Sequence, residues 1–118
     1  MPFRFGDVLL VPFPFTDQST AKKRPAVVIS SNRYNQYHAD IILMAITSQS
    51  KAIAYPDNLQ IENWQQAGLL KPSVIKPIVT TVLSQLVLRK LGVLSFKDKQ
   101  QLESLIVQIL GRSLRHTS

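Results

Sequence analysis

The sequence predicts a mainly β, α+β chain in which strands come first and one helix comes last. Three observations carry that expectation. Short apolar and β-branched runs recur, Val8-Leu9-Leu10-Val11, Ala26-Val27-Val28-Ile29 and Ile41-Ile42-Leu43-Met44-Ala45-Ile46, each bounded by turn-forming or polar residues. A longer stretch, Ser73 to Leu83, is rich in Val, Ile and Thr. Only near the C-terminus does the apolar spacing change to that of a helix.

Gly6-Asp7 is a turn signal that opens the first run. Pro12-Phe13-Pro14-Phe15 stays extended, yet two prolines remove ladder donors, so that end belongs at an edge or a bulge. A polar, basic loop from Thr16 to Pro25 leads to the second run, which the turn Ser30-Ser31-Asn32 closes. Tyr34 to Asp40 reads as an irregular crossing, and the third run ends at Thr47-Ser48-Gln49-Ser50. Ile53 to Ile61 has room for a short strand interrupted at Pro56. Glu62 to Ala67 reads as one or two helical turns stopped by Gly68. After Lys71-Pro72, Ser73 to Leu83 is strand again; periodicity leaves the pairing of the strands open. Leu102, Leu105, Ile106, Ile109 and Leu110 then fall at i, i+3, i+4, i+7 and i+8, one apolar stripe for packing onto the strands. Ser95 with Asp98 resembles a capping box with Asp in place of Glu, and Gly111 supplies the stop.

The 118 residues suffice for one core, and with no repeat, linker or low-complexity segment they read as a single domain, 1–118. Fourteen Lys and Arg against seven Asp and Glu give a net charge of +7. That balance favours polyanions: nucleic acid, an acidic partner or a membrane surface. The absence of cysteine excludes disulfides and thiol chemistry and suits a reducing cytoplasm. Apolar runs are far shorter than the roughly 20 residues that cross a bilayer. Met1 to Phe5 carries no export signal, so a cytoplasmic protein without a membrane role is expected.

The loop from Thr16 to Pro25 is the most telling stretch. Irregular backbone must stay solvated, and Arg24 sits where the chain returns to the core. Pro25 biases Arg24 towards extended backbone. A guanidinium fixed at a strand mouth, with Lys22 and Lys23 beside it, suits a phosphate ligand. The same three cations also fit a solvated charge run. Thr47 at a strand end fits a turn hydroxyl bonded to local backbone. Trp64 and the pair Phe13 and Phe15 fit either base stacking or the core. His38 and His116 are candidates for acid–base work, but the tail position of His116 argues against fixed geometry. Seven scattered carboxylates and two distant histidines give no ligand spacing, so no metal or other cofactor is expected.

Gly6-Asp7-Val8-Leu9-Leu10-Val11-Pro12-Phe13, Lys23-Arg24-Pro25-Ala26-Val27-Val28-Ile29-Ser30 and Ala45-Ile46-Thr47-Ser48-Gln49 together resemble the three motifs of the PemK/MazF toxin family. Gly68-Leu69-Leu70-Lys71-Pro72-Ser73-Val74-Ile75 and the pair Leu91-Gly92 are similar too. Each piece alone is weak, whereas their order and spacing over about residues 4 to 112 are specific. The resemblance implies a small SH3-like antiparallel β-barrel with a C-terminal α-helix, working as a homodimer. It implies a toxin of a type II toxin–antitoxin module, an endoribonuclease that cuts single-stranded RNA at short motifs without a metal. The ends implied are a 2′,3′-cyclic phosphate and a 5′-hydroxyl. The implied partners are the RNA substrate, a cognate acidic antitoxin that covers the groove, and operator DNA bound by the toxin–antitoxin complex. The catalytic residues of the family match Arg24 and Thr47. Lys22, Lys23, Ser48, Gln49, Ser73 and Lys76 are the candidate RNA-binding residues.

In that reaction the ribose 2′-oxygen attacks phosphorus, the 5′-oxygen leaves, and the phosphorane between them carries extra negative charge. Arg24 suits the stabilisation of that charge, because its planar fork of donors matches phosphate oxygens. A pKa above roughly 12 makes it a poor proton shuttle. Thr47 can donate a hydroxyl hydrogen bond to a phosphate oxygen. The residues single out no general base. Two departures from the family bear on specificity: Thr16 to Lys23 has no glycine, and Ile75-Lys76-Pro77-Ile78 stands where other members carry acidic or Gln residues that touch bases. Two rival readings use the same barrel, a poison of DNA gyrase and a non-catalytic nucleic-acid-binding module.

Overall fold

Six strands form one sheet in the computed structural model, which describes residues 2–13, 22–49, 51 and 56–111. They are β1 (Asp7–Phe13), β2 (Lys22–Val28), β3 (Asp40–Thr47), β4 (Leu59–Gln60), β5 (Val74–Leu83) and β6 (Arg89–Val93). A short helix, α1 (Asn32–Tyr37), joins β2 to β3, a 3₁₀ turn (Ser84–Leu86) joins β5 to β6, and α2 (Phe96–Ile109) ends the described chain. The strand order is β4-β5-β3-β2-β1-β6, and every neighbouring pair is antiparallel.

The apolar runs are continuous rather than alternating because the sheet is covered on both faces. Val8, Val27, Met44, Ile46 and Ile75 join Leu94, Leu102 and Leu105 in one core beneath α2. Leu9, Val11, Phe13, Ala26, Val28, Ile41, Leu43 and Val82 fill a second core on the other side of the curled sheet. Burying both faces removes apolar area from water on both sides of β1, β3 and the second half of β2, at about 25 cal/mol for each Å².

Proline positions follow the ladder. Pro12 pairs with Lys23 on β2, while β6 accompanies β1 only from Asp7 to Leu10, so the missing N–H falls where one side of β1 has no partner strand. The expected edge location therefore holds for Pro12; Pro14 and Phe15 lie outside the described residues. In β5 the pairing steps from Met44↔Val79 to Ile46↔Ile75, leaving Lys76, Pro77 and Ile78 opposite Ala45 alone. That bulge accommodates Pro77, which has no donor to offer.

Several elements differ from the sequence expectation. Tyr34 to Asp40 is no irregular crossing throughout, because α1 covers Asn32–Tyr37. Ser31 caps it, its Oγ accepting from the Tyr34 N–H at 3.0 Å, and Asn35 is buried beneath it. The Asn35 amide donates to the Phe3 carbonyl at 2.9 Å, and Ser30 Oγ donates to Asn35 Oδ1. The strand foreseen within Ile53 to Ile61 shrinks to Leu59–Gln60 among the described residues. The stripe on α2 holds for Leu102, Leu105 and Ile106, but Ile109 and Leu110 are exposed, since the last turn runs past the sheet. Ser95 does cap α2, accepting from the Asp98 N–H at 3.2 Å. The Asp98 carboxylate does not reach back as a capping box requires. Instead its two oxygens accept from the Glu62 and Asn63 N–H groups at 3.0 and 2.9 Å, fastening the turn over residues 62–68 to the helix.

Candidate nucleic-acid cleft

The two most telling residues of the sequence stand on neighbouring strands. β2 pairs with β3 through Ala26↔Ala45 and Val27↔Met44, and Arg24 on β2 and Thr47 on β3 each lie two residues beyond the Ala26↔Ala45 pair. Adjacent strands lie about 4.8 Å apart, so the two backbones are within reach of one phosphate. The β5 bulge opposite Ala45 comes two residues before Thr47 and sets the direction in which β3 ends.

Arg24 and Thr47 line a cleft of about 340 Å³, with Ser48, Gln49 and Ser73 along it. Arg24 is half-buried, and its Nε is shielded from solvent. Thr47 Oγ1 accepts from the Gln49 N–H at 3.3 Å, the local turn bond that its position suggests. Accepting through a lone pair leaves the hydroxyl proton able to donate to a ligand. Ser73 is buried and donates to the Lys71 carbonyl at 2.8 Å, while its own carbonyl accepts from the Ile61 N–H at 3.0 Å. Ser73 thus shapes the bend of the cleft wall.

The opposite wall escaped the sequence reading. Leu70, Lys71, Arg89 and Leu91 line it. It is assembled by two glycines against backbone. Gly68 has φ +81°, and a Cβ there would stand 2.0 Å from the Leu91 carbonyl oxygen. A Cβ at Gly92 would stand 2.5 Å from the Ala67 carbonyl carbon. The turn over residues 62–68 therefore lies directly on β6. β6 itself bulges at Leu91, since Val8 pairs with Gly92 and Leu9 with Lys90. Nothing in the spacing of Gly68 and Gly92 announces this contact; the only signal was that both belong to stretches similar to family motifs.

Electrostatically the cleft is one-sided. Arg24, Lys71 and Arg89 line it, and none of the described lining residues is Asp or Glu. The neighbouring Lys90 turns away, pairing with buried Asp7 at 3.3 Å. Asp7 also accepts from the Arg4 N–H at 2.9 Å, which gives the Gly6-Asp7 motif a structural role.

The remaining candidates are dispersed. Lys22 and Lys23 are exposed on β2, opposite Phe13 and Pro12, and do not line the cleft. Lys76 sits in the β5 bulge, also outside the lining. Phe13 is buried in the second core and offers no face for stacking, while Trp64 is half-buried against the first core and does not line the cleft. His38 is exposed and stacks on Tyr34 at 4.0 Å between ring centres, far from Thr47 in the fold. His116 and the loop from Thr16 to Ala21 lie outside the described residues. Tyr34 donates to Asp40 at 2.9 Å, and that bond, with burial and the carboxylate charge, raises the tyrosine pKa. Among the described residues, no three His, Asp or Glu side chains cluster as a metal site would. No described helix is long and apolar enough to cross a membrane.

Comparison with solved structures finds the same fold repeatedly. An endoribonuclease in complex with its cognate antitoxin, from a mycobacterial species, superposes with a TM-score of 0.74 at 15% identity, covering 97% of this chain and 98% of that one. MazF in a MazE–MazF crystal structure from Deinococcus radiodurans gives a TM-score of 0.70 at 17% identity, over 96% of this chain and 99% of the other. The Mycobacterium tuberculosis toxin MazF-mt6 gives 0.72 at 16% identity, over 91% and 98%. At such identities the likeness shows the fold, and it bears out the expected SH3-like barrel with a C-terminal helix. A search of curated protein sequences finds no match. The model of the PemK-like, MazF-like toxins of type II toxin–antitoxin systems matches residues 4–110. A match over almost the whole chain, joined to that fold, makes this protein a member of the PemK-like, MazF-like toxin family of type II toxin–antitoxin systems.

Proposed function

We propose that the protein is a metal-independent endoribonuclease that cuts single-stranded RNA at short motifs, with Arg24 and Thr47 at the cleaved phosphate. The observation that carries this reading is a cleft lined, among the described residues, by three cations and no carboxylate, with Arg24 and Thr47 on adjacent strands. A cleft of that charge favours a polyanion over a neutral or cationic ligand. The ribose 2′-oxygen forms the new bond to phosphorus, and the bond to the 5′-oxygen breaks. The 2′-hydroxyl gives up its proton, and the leaving 5′-oxygen takes one. Arg24 holds two non-bridging oxygens as charge builds on them, and Thr47 donates a hydrogen bond to the same group. The products are a 2′,3′-cyclic phosphate and a 5′-hydroxyl. Ser48 and Gln49, exposed beside Thr47, contact the flanking nucleotides.

Partners follow from the same surface. The family membership and the antitoxin-bound relatives support a cognate antitoxin, acidic and extended, that competes with RNA for the cleft. Val79, Leu83, Leu86 and Leu88 are exposed along β5 and the turn after it, which supports burial between two copies in a homodimer. The complex with antitoxin binds operator DNA, and the protein acts in the cytoplasm.

Digestion of unstructured RNA in EDTA, with analysis of the ends, tests the reading. The expected result is 5′-hydroxyl and 2′,3′-cyclic phosphate ends, with duplex and deoxyribose strands spared. Dependence on a divalent ion, or 5′-phosphate ends, refutes the mechanism. Absence of any cleavage returns the protein to the gyrase-poison or binding-only readings.

A further inference from the structure

Arg89 is exposed on β6, was no part of the sequence reading, and faces the same cleft as Arg24. Its register fixes where it stands. β1 lies between β2 and β6, with Val11 opposite Arg24 and Leu10 opposite Arg89. Val11 and Leu10 are consecutive, so Arg24 and Arg89 do not share one register row, but their strands, β2 and β6, are two spacings apart, roughly 10 Å. That is more than one phosphate occupies, and Arg24 with Thr47 already brackets one.

Lys71 joins Arg89 on the far wall for a structural reason. The contact of Gly68 with the Leu91 carbonyl, and of Gly92 with Ala67, lays the turn against β6. The chain leaves that turn through buried Leu69 and exposed Leu70 directly into Lys71. Among the described residues neither Arg89 nor Lys71 makes an ion pair, whereas the adjacent Lys90 is held by Asp7. Two cations that line the same cleft as Arg24 and make no ion pair among the described residues are placed for a second anionic group of the same ligand.

We infer that Arg89 and Lys71 form a second phosphate subsite, which binds a backbone phosphate flanking the one held by Arg24 and Thr47. This rests on the ribonuclease reading above. The subsite sets how tightly RNA is held and in which direction it crosses the cleft; the cleaved bond stays at Thr47. Leu70, 93% exposed at its rim, offers the apolar surface on which the intervening base lies.

The test measures binding of a short random-sequence 2′-O-methyl RNA pool, whose blocked 2′-oxygen cannot attack, against salt concentration. Cleavage of unmodified RNA is followed in parallel. Arg89→Ala and Lys71→Ala each alter an exposed side chain. Each is expected to weaken binding several-fold and to make the log–log salt slope shallower by about 0.7, the value for one contact to a single strand. Arg89→Lys keeps the slope. At saturating RNA both alanine variants cut within about two-fold of the parent rate, because the lost contact lies outside the reacting group. Unchanged slope and affinity in both variants, with a parent that cleaves RNA, overturn the subsite alone. A fall in saturated rate larger than the fall in affinity also overturns it, by moving Arg89 into the chemistry. A parent that neither binds the pool nor cuts RNA overturns the ribonuclease reading and the subsite with it.

Discussion

Replacing Gly68 with alanine isolates the contact that builds the far wall of the cleft. Two separate penalties arise. The backbone at Gly68 is left-handed, with φ +81°, a conformation that an L side chain enters at about 1–2 kcal/mol. The new Cβ would also stand 2.0 Å from the Leu91 carbonyl oxygen, where ordinary contact begins at 3.4 Å. Turn and strand must therefore part by about 1.4 Å, the difference between those two distances. The obstacle is backbone, so no rotamer relieves it, and forced separation in a packed region costs about 1–3 kcal/mol. Gly68→Ala should thus destabilise the protein by about 2–5 kcal/mol in all. Gly111 supplies the control, since φ is +80° there and nothing lies within 4 Å of an added Cβ. Gly111→Ala should show the conformational penalty alone, about 1–2 kcal/mol. Urea denaturation followed by circular dichroism measures both, with the midpoint expected to fall and the m value to stay constant. A Gly68→Ala loss no larger than that of Gly111→Ala would refute the argument that backbone contact, and not φ, makes glycine necessary.

Three further outcomes are expected. Asp98→Ala removes the acceptor of two N–H groups and should cost about 2–4 kcal/mol in the same urea assay; Asp98→Asn, which keeps one oxygen, should recover about half, and a loss below about 1 kcal/mol would show that water replaces the carboxylate. Arg24→Ala should reduce cleavage at saturating RNA by about 10²-fold or more, whereas Lys22→Ala or Lys23→Ala, both outside the cleft lining, should leave that rate unchanged and only flatten the salt dependence of binding. Tyr34 has a raised pKa because its hydroxyl donates to Asp40, so its contribution is fully present below the usual tyrosine pKa and is lost as pH rises through the folded value. Tyr34→Phe should remove that part of the alkaline fall in the urea midpoint above about pH 10, the usual tyrosine value, and an identical fall in both proteins would count against the bond.

What could be read from the sequence depended on whether its cause was local. β1, β3 and the second half of β2 announced themselves because strand segments buried on two faces must be apolar along their length, and β5 did so through its β-branched residues. β6 did not, because Arg89 and Lys90 are exposed and Gly92 packs through its backbone. Its strand conformation comes from pairing with β1, some eighty positions earlier in the chain. α1 was missed for a similar reason: six largely polar residues carry no period, and the helix is held by the Ser31 cap and by Asn35 buried beneath the N-terminal segment. In the cleft, Arg24 and Thr47 stood out through short stretches similar to family motifs, and their neighbouring strands bring both to its lining. Lys22 and Lys23 were grouped with Arg24 by adjacency, but only Arg24 of the three lines the cleft. Lys71 and Arg89 could not be found, since what unites them is the meeting of two glycines with distant backbone.

The bond from Asp98 to the turn over residues 62–68 also bears on the order in which a newly made chain becomes competent. Arg24 and Thr47 leave the ribosome early, and β2 and β3 can pair as soon as both have emerged. The wall carrying Leu70 and Lys71 has no such independence, because the Glu62 and Asn63 N–H groups are anchored only when the first turn of α2 has docked. Gly68 likewise has no surface to rest on until Leu91 has been added. A growing chain therefore passes most of its synthesis with half a cleft, and on the ribonuclease reading proposed above it stays unarmed beside the message and ribosome that are producing it.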